Sequence, residues 1–429
     1  MSIRAGDIAA WAEPASRAAF EPLPGGGYAY RLLDDGVCVE LRYLRREFGH
    51  VVAEVDVRCD WAAARGVAGS LSCADLNLSN QAHRRGLASY CGERSRAKAD
   101  AFDWFGVIDA ACVQTLKAMR TGEPAIVLDD ALDVPEQDFD VHGIKIPADA
   151  TSMLFAPGES AKSLILLYIL GTLAEQGISV LYVDWEWSAS RHKARKVKLF
   201  GASRIPGLHY LRCQAPLVHE ADRIRRFCDA HKIGFLGLDS VGLACDGKLS
   251  DDDVAIRFNR TLSSIERPAM CAAHVSKATM SPDATKGGAP IALAFGSVFF
   301  TNLARMCWYV RREPESAKDR TIVGLFPTKQ NDGARAKPVG LELAFTDTRI
   351  TVQPTDLAGV DGLSEHLSIR DRISHTLKSR GGLTIAEIAT ELGAKADSVT
   401  KALKRGGFVR LVDSTDGVHR WKLAERRIA

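Results

Sequence analysis

Apolar and polar residues along the chain follow three successive patterns, and each predicts a different architecture. After a short helical pattern at the start, residues 28–33 (YAYRLL) and 37–41 (VCVEL) alternate, with Gly25, Gly26 and Gly27 before the first run and Asp34-Asp35-Gly36 between the two. Alternation around such turns predicts antiparallel hairpins. After Asp60 the pattern turns helical and rich in Ala, Arg and Leu through Thr121, so an α+β domain is expected over residues 1–130. Pro124, Pro135 and Pro147 and a run of acids from Asp129 to Asp140 mark a connector, set at residues 131–150.

The second pattern is a regular exchange of apolar strands and helices. Strands are expected at 153–155, 179–184, 209–211, 233–240 and 269–274, with helices at 162–176, 188–200, 218–230 and 295–309. Near-continuous apolar strands between helices predict an α/β core, residues 151–355, with a mainly parallel sheet covered on both faces. Ligands bind such sheets at the carboxyl ends of the strands. Further strands at 339–345 and 349–353 read as an antiparallel extension. A linker at 356–362 then leads to a third pattern. Residues 363–429 show helices at 368–380, 383–393 and 398–405, then strands at 408–413 and 419–423 around Asp416-Gly417, the order of a winged helix-turn-helix.

Composition narrows the function classes. The chain of 429 residues suits about three domains, and 46% apolar with 25% charged residues is the balance of ordinary soluble proteins. A net charge of +3 does not by itself point to a polyanion. Residues 363–429 alone carry thirteen Lys and Arg against eight Asp and Glu, and Lys395, Lys401, Lys404 and Arg405 fall on the expected recognition helix, a set suited to duplex DNA. A protein-interaction module is the alternative for that domain. The basic residues Arg84, Arg85, Arg94, Arg96 and Lys98 read as a solvated helical face. The ten cysteines show no C-x-x-C pair and are expected to be buried, reduced thiols. Lacking a signal-peptide core or an apolar run of membrane length, the protein is expected to be cytoplasmic, with no membrane partner.

The candidate chemistry begins at Leu154-Phe155-Ala156-Pro157-Gly158-Glu159-Ser160-Ala161-Lys162-Ser163. A phosphate loop needs inward backbone amides, a lysine for the β and γ phosphates and a hydroxyl for Mg²⁺, here Gly158, Lys162 and Ser163. The full G-x-x-x-x-G-K-[ST] pattern places glycine where Ala156 and Ala161 stand. A plain strand-to-helix turn is the alternative. At later strand ends stand Asp239, suited to Mg²⁺; Asp184 and Glu186, suited to orienting a water; and His274, suited to sensing a γ phosphate. A helix-capping acid and a core histidine are the structural alternatives.

The motifs A-P-G-E-S-A-K-S, V-L-Y-V-D-W-E, G-F-L-G-L-D-S, H-V-S-K, G-S-V-F-F-T-N-L-A-R and T-K-Q-N-D-G, in this order, resemble the RecA-like ATPase core of the RepA-type hexameric replicative helicases of plasmids and their phage relatives. The resemblance covers roughly residues 153–352. It implies ATP and Mg²⁺ at Gly158, Lys162, Ser163 and Asp239, the Mg²⁺ held by Ser163 and Asp239. It implies that Glu186 activates water and that His274 couples the nucleotide to nucleic acid. It also implies a homo-oligomeric ring in which Arg305 reaches the neighbour's site and Lys329 assists it, with Arg311 and Arg312 as rival fingers. The 279–290 loop with Lys286 matches a channel loop for single-stranded DNA, a flexible loop being the alternative. The expected function is an ATP-dependent, ring-forming DNA helicase or loader-like ATPase in replication of a plasmid, phage or mobile element. The alternative is a hydrolysis-deficient, nucleotide-sensing DNA-binding scaffold or regulator.

Overall fold

The computed structural model describes residues 18–23, 26–61, 70–95, 102–122, 127–130, 138–275, 296–314, 317, 319–331, 333, 336–412 and 418–424. The chain forms two compact units, residues 1–134 and 135–429.

In the first unit β1 (Ala18–Pro22), β2 (Tyr28–Leu32), β3 (Val37–Glu47), β4 (His50–Cys59) and β5 (Ser70–Asn77) make an antiparallel sheet in chain order. Alternation along β3 and β4 sends Val37, Val39, Leu41, Ala53, Val55 and Val57 to one face. There they pack with Cys91 and Ala88 of α1 (Gln81–Ser95) and Trp104, Ile108 and Ala111 of α2 (Trp104–Thr121). Residues 70–77 depart from the helical expectation. Their ladder with β4, from Val52 opposite Asn77 to Arg58 opposite Ser70, supplies backbone partners that a local pattern does not reveal. Arg84 corrects the solvated-face expectation: it is buried, with Nε donating to the Leu78 carbonyl at 2.7 Å and Nη1 to Asp109 at 2.6 Å. Arg85 lies over the Phe105 ring. Arg96, Lys98 and the first residues lie outside the described residues.

The second unit opens with a hairpin inside the expected connector, β6 (Asp138–Val141) and β7 (Ile144–Pro147). Then follow β8 (Thr151–Ala156), α3 (Lys162–Glu175), β9 (Val180–Asp184), α4 (Ala189–Phe200), β10 (Leu208–Arg212), α5 (Leu217–His231), β11 (Phe235–Asp239), α6 (Val241–Ala244), α7 (Asp252–Ser263), β12 (Ala269–His274), α8 (Phe299–Asn302), β13 (Met306–Arg312), β14 (Arg320–Gln330), β15 (Val339–Phe345) and β16 (Ile350–Thr355). One sheet runs β10-β9-β11-β12-β8-β13-β14-β15-β16. Its first six strands are parallel and the last three antiparallel. An apolar core lies on each face, one against α3 and one against α5 and α7.

The helix expected over 295–309 is replaced by one turn, α8, followed by β13. Met306, Trp308 and Val310 enter the α3-side core while Cys307 enters the other, a period of two that pairing with β8 and β14 reinforces.

At the end of the chain α9 (Ile369–Arg380), α10 (Ile385–Leu392) and α11 (Ala396–Lys404) enclose Ile373, Leu377, Ile388, Val399, Ala402 and Leu403. The hairpin β17 (Phe408–Val412) and β18 (His419–Leu423) closes this core, and Leu383 bridges to Trp421. A reciprocal cap between Thr384 and Glu387 starts α10, and Gly393 at φ 56° turns the chain into α11. The Asp416-Gly417 turn lies outside the described residues. All ten cysteines are free thiols; Cys73 is exposed, against the expectation of burial. No described helix is long and apolar enough to cross a membrane.

Candidate functional site

The segment between Ala156 and Lys162 joins the end of β8 to the first residue of α3. Ala156 is a fully buried strand residue opposite His274. Ala161 is left-handed, at φ 59° and ψ 16°, and Glu159 sits at φ 62°. The two positions that lack glycine therefore differ: only Ala161 bears a cost, about 1–2 kcal/mol for a side chain in that region. A Cβ at Gly158 would meet no protein atom within 4 Å, so the chain's own packing does not demand that glycine.

Lys162 is buried, with Nζ donating to the Ala273 carbonyl at 3.2 Å, near the end of β12. Burial pulls its pKa down, against the attraction of Asp239 and Glu186. Gly237 lets α3 lie this close to β11: a Cβ there would come 2.4 Å from Leu170 Cδ1.

Asp239, at the end of β11, is only 2% exposed. Its Oδ2 accepts from the Tyr182 hydroxyl at 2.7 Å, while Oδ1 is buried with no hydrogen-bond partner. Burial raises the Asp239 pKa despite hydrogen bonding from Ser163 and Tyr182; Glu186 pushes it further up and Lys162 pulls it down. An orphaned carboxylate oxygen beside a serine hydroxyl and a lysine fits a hard divalent cation carrying phosphate oxygens. Ser163 and Asp239 are the groups that would hold it.

One strand over, Asp184 ends β9 directly opposite Asp239. It accepts from the Glu186 and Trp187 amides at 2.8 and 3.0 Å and from the Tyr210 hydroxyl at 3.1 Å, and meets His192 Nε2 at 3.0 Å. Burial opposes its ionisation, but the bonds to His192 and the Glu186 amide prevail and hold its pKa below the usual value. Asp184 thus shapes the turn that presents Glu186, whose Oε1 accepts from Ser240 Oγ at 2.7 Å. His274 is exposed at the end of β12; burial and then Lys162 lower its pKa, while Glu186 and Asp239 raise it. Lys162, Ser163, Glu186, Asp239 and His274 therefore share one edge of the sheet. The strand-end pattern singles out neither Tyr182 nor Ser240; a tyrosine inside an otherwise apolar strand is the available signal, because a buried hydroxyl needs a partner.

Other expected site residues lie elsewhere. Arg305 precedes β13 and its amide bonds the Thr151 carbonyl, at the amino end of β8. Five strand residues, about 16 Å at 3.3 Å each, separate that point from Ala156. The Arg305 side chain is exposed. Lys329 Nζ donates to the Thr301 and Asn302 carbonyls at the end of α8. Arg311 is engaged by His366 and Glu365, and Arg312 Nε by Thr321 at 2.9 Å. Lys286 and the 279–290 loop lie outside the described residues. Lys395, Lys401, Lys404 and Arg405 are exposed around α11, whose other face is buried through Val399, Ala402 and Leu403.

No protein-family model matches the chain, and no curated protein matches it. Among solved structures, the ATPase domain of a DnaB-like replicative helicase matches at 13% sequence identity with a TM-score of 0.37, covering 48% of this chain and 84% of that one. At that likeness neither an activity nor a partner transfers to this chain.

Proposed function

We propose that residues 151–355 form a RecA-like, Mg²⁺-dependent ATPase core. The observation that carries this is the meeting of a buried lysine, Lys162, with a buried aspartate, Asp239, one of whose oxygens has no protein partner, at the carboxyl edge of a parallel sheet. Loop amides and Lys162 bind the triphosphate, Ser163 and Asp239 hold Mg²⁺, and Glu186, aimed by Asp184 and Ser240, orients the attacking water. Bound Mg²⁺ neutralises charge on the β and γ phosphates. His274 is placed to respond to the γ phosphate.

Arg305 stands at the opposite end of the strands from its own loop, so it serves a neighbouring subunit's site in a homo-oligomeric ring. Lys329, held against the end of α8, supports the segment before Arg305. The core acts on single-stranded DNA, with Lys286 in its channel loop. Residues 363–429 act as a winged helix-turn-helix that binds duplex DNA through Lys395, Lys401, Lys404 and Arg405. Together these define a helicase or loader-like ATPase in replication of a plasmid, phage or mobile element. The strained Ala161 favours one second reading, a nucleotide-sensing DNA-binding scaffold that does not turn over.

ATP hydrolysis with and without single-stranded DNA distinguishes them. The motor predicts DNA-stimulated phosphate release that Glu186→Gln lowers about 10²–10⁴-fold with nucleotide binding kept, the usual range for a general base. Mixing Lys162→Ala with Arg305→Ala subunits is expected to restore part of the activity each lacks alone. Binding without turnover in every sample selects the scaffold.

A further inference from the structure

We propose that Tyr182 is a positioning residue for the divalent cation, locking the Asp239 carboxyl so that Oδ1 stays free for the metal. This deepens, and rests on, the nucleotide-binding function proposed above. The Tyr182 hydroxyl donates to Asp239 Oδ2 at 2.7 Å, and the two residues are 1% and 2% exposed. The ring is held in turn: its centroid lies 4.5 Å from the His192 ring and 6.4 Å from that of Tyr210. His192 and Tyr210 are both tied to Asp184. Asp184 therefore fixes both the turn bearing Glu186 and, through two rings, the phenol that orients Asp239. A carboxyl held by one oxygen cannot rotate to satisfy the other, so Oδ1 remains available beside Ser163. Without the phenol, Asp239 is free to turn towards Ser163 or Lys162 and must be reoriented when the metal arrives. Groups that orient a metal ligand in this way typically contribute 10–100-fold in metal affinity.

The test is fluorescent ATP bound to the full chain, first in EDTA and then titrated with Mg²⁺, for wild type, Tyr182→Phe, Asp239→Asn and the double variant. Tyr182→Phe is expected to keep its affinity in EDTA within about twofold while needing about tenfold more Mg²⁺ for half its effect. Because Tyr182 acts through Asp239, the double variant is expected to be no worse than Asp239→Asn alone. An unchanged Mg²⁺ midpoint, an equal loss in EDTA, or full additivity overturns the proposal. Wild type that binds no fluorescent ATP, or binds it equally after Lys162→Ala, instead removes the nucleotide site and this inference with it. Should Tyr182→Phe not fold, fluorotyrosine at position 182 keeps the shape and alters the donor. A shifted Mg²⁺ midpoint then supports the proposal and a fixed one overturns it.

Discussion

The ends of β9 and β11 place two aspartates side by side, Asp184 and Asp239, in register and both nearly inaccessible. Asp184 is saturated: two amides, a phenol and an imidazole surround it, and it stays ionised more readily than a free carboxyl. Asp239 has one oxygen held and the other bare, and burial makes its charge costly. The same residue type at the same place in adjacent strands thus serves two ends. One carboxylate completes the fold, and the other is kept incomplete for a ligand.

Removing each aspartate separates these roles. Asp184→Ala is expected to cost about 3–5 kcal/mol in urea denaturation, since it strips a buried network of its charged acceptor. Asp239→Asn is expected to leave stability unchanged or raise it by about 1 kcal/mol, because it removes a buried charge that lacks full pairing. A comparable loss in both variants would erase the distinction.

Acid titration sharpens it. The Asp184 pKa is depressed in the fold, so its contribution is present above the unfolded value, about 3.9, and is lost as pH falls through the lower folded value. The Asp239 pKa is raised, so the native state takes up a proton more readily than the unfolded chain. Its penalty is largest above the folded value and fades as pH falls towards about 4. The stability gained by Asp239→Asn over wild type is therefore expected to shrink between pH 8 and about 4. The loss in Asp184→Ala is expected to shrink only below that range. Denaturation curves across pH read both slopes.

The smallest expected effects concern the two alanines of the loop. Ala156→Gly removes a fully buried methyl, worth about 0.8 kcal/mol, and adds the chain-entropy cost of glycine, about 0.5–1 kcal/mol, so it destabilises. Ala161→Gly relieves about 1–2 kcal/mol of left-handed strain against the same entropy cost and is expected to stabilise by about 1 kcal/mol or less. Opposite signs in a melting comparison support the assigned conformations; equal signs contradict them.

Much of this arrangement is legible in the sequence because apolar strands announce their own ends. Lys162, Glu186, Asp239 and His274 are located by counting to the carboxyl end of each run, and the sheet gathers those ends at one edge. Asp184 and Glu186 stand two residues apart with the same candidate chemistry; the turn between them, set by amide donation to Asp184, divides their roles. Tyr182 is not legible in the same way, because its importance depends on a carboxyl 57 positions away. The pattern misleads where pairing between distant segments decides the structure. Residues 306–312 form a strand because β8 and β14 flank them, and residues 70–77 form one because β4 does.

The central claim is that Asp239 is left half-satisfied for a metal-bound nucleotide. Urea denaturation at pH 8 of wild type and Asp239→Asn, each with and without saturating ATP and Mg²⁺, tests it most directly. Wild type is expected to gain about 2.7 kcal/mol at a ligand concentration one hundred times its dissociation constant. Asp239→Asn is expected to be at least as stable as wild type without ligand and to gain nothing from adding Mg²⁺ to ATP. A ligand-free Asp239→Asn that is clearly less stable, or a variant that responds to Mg²⁺ as wild type does, would contradict the account.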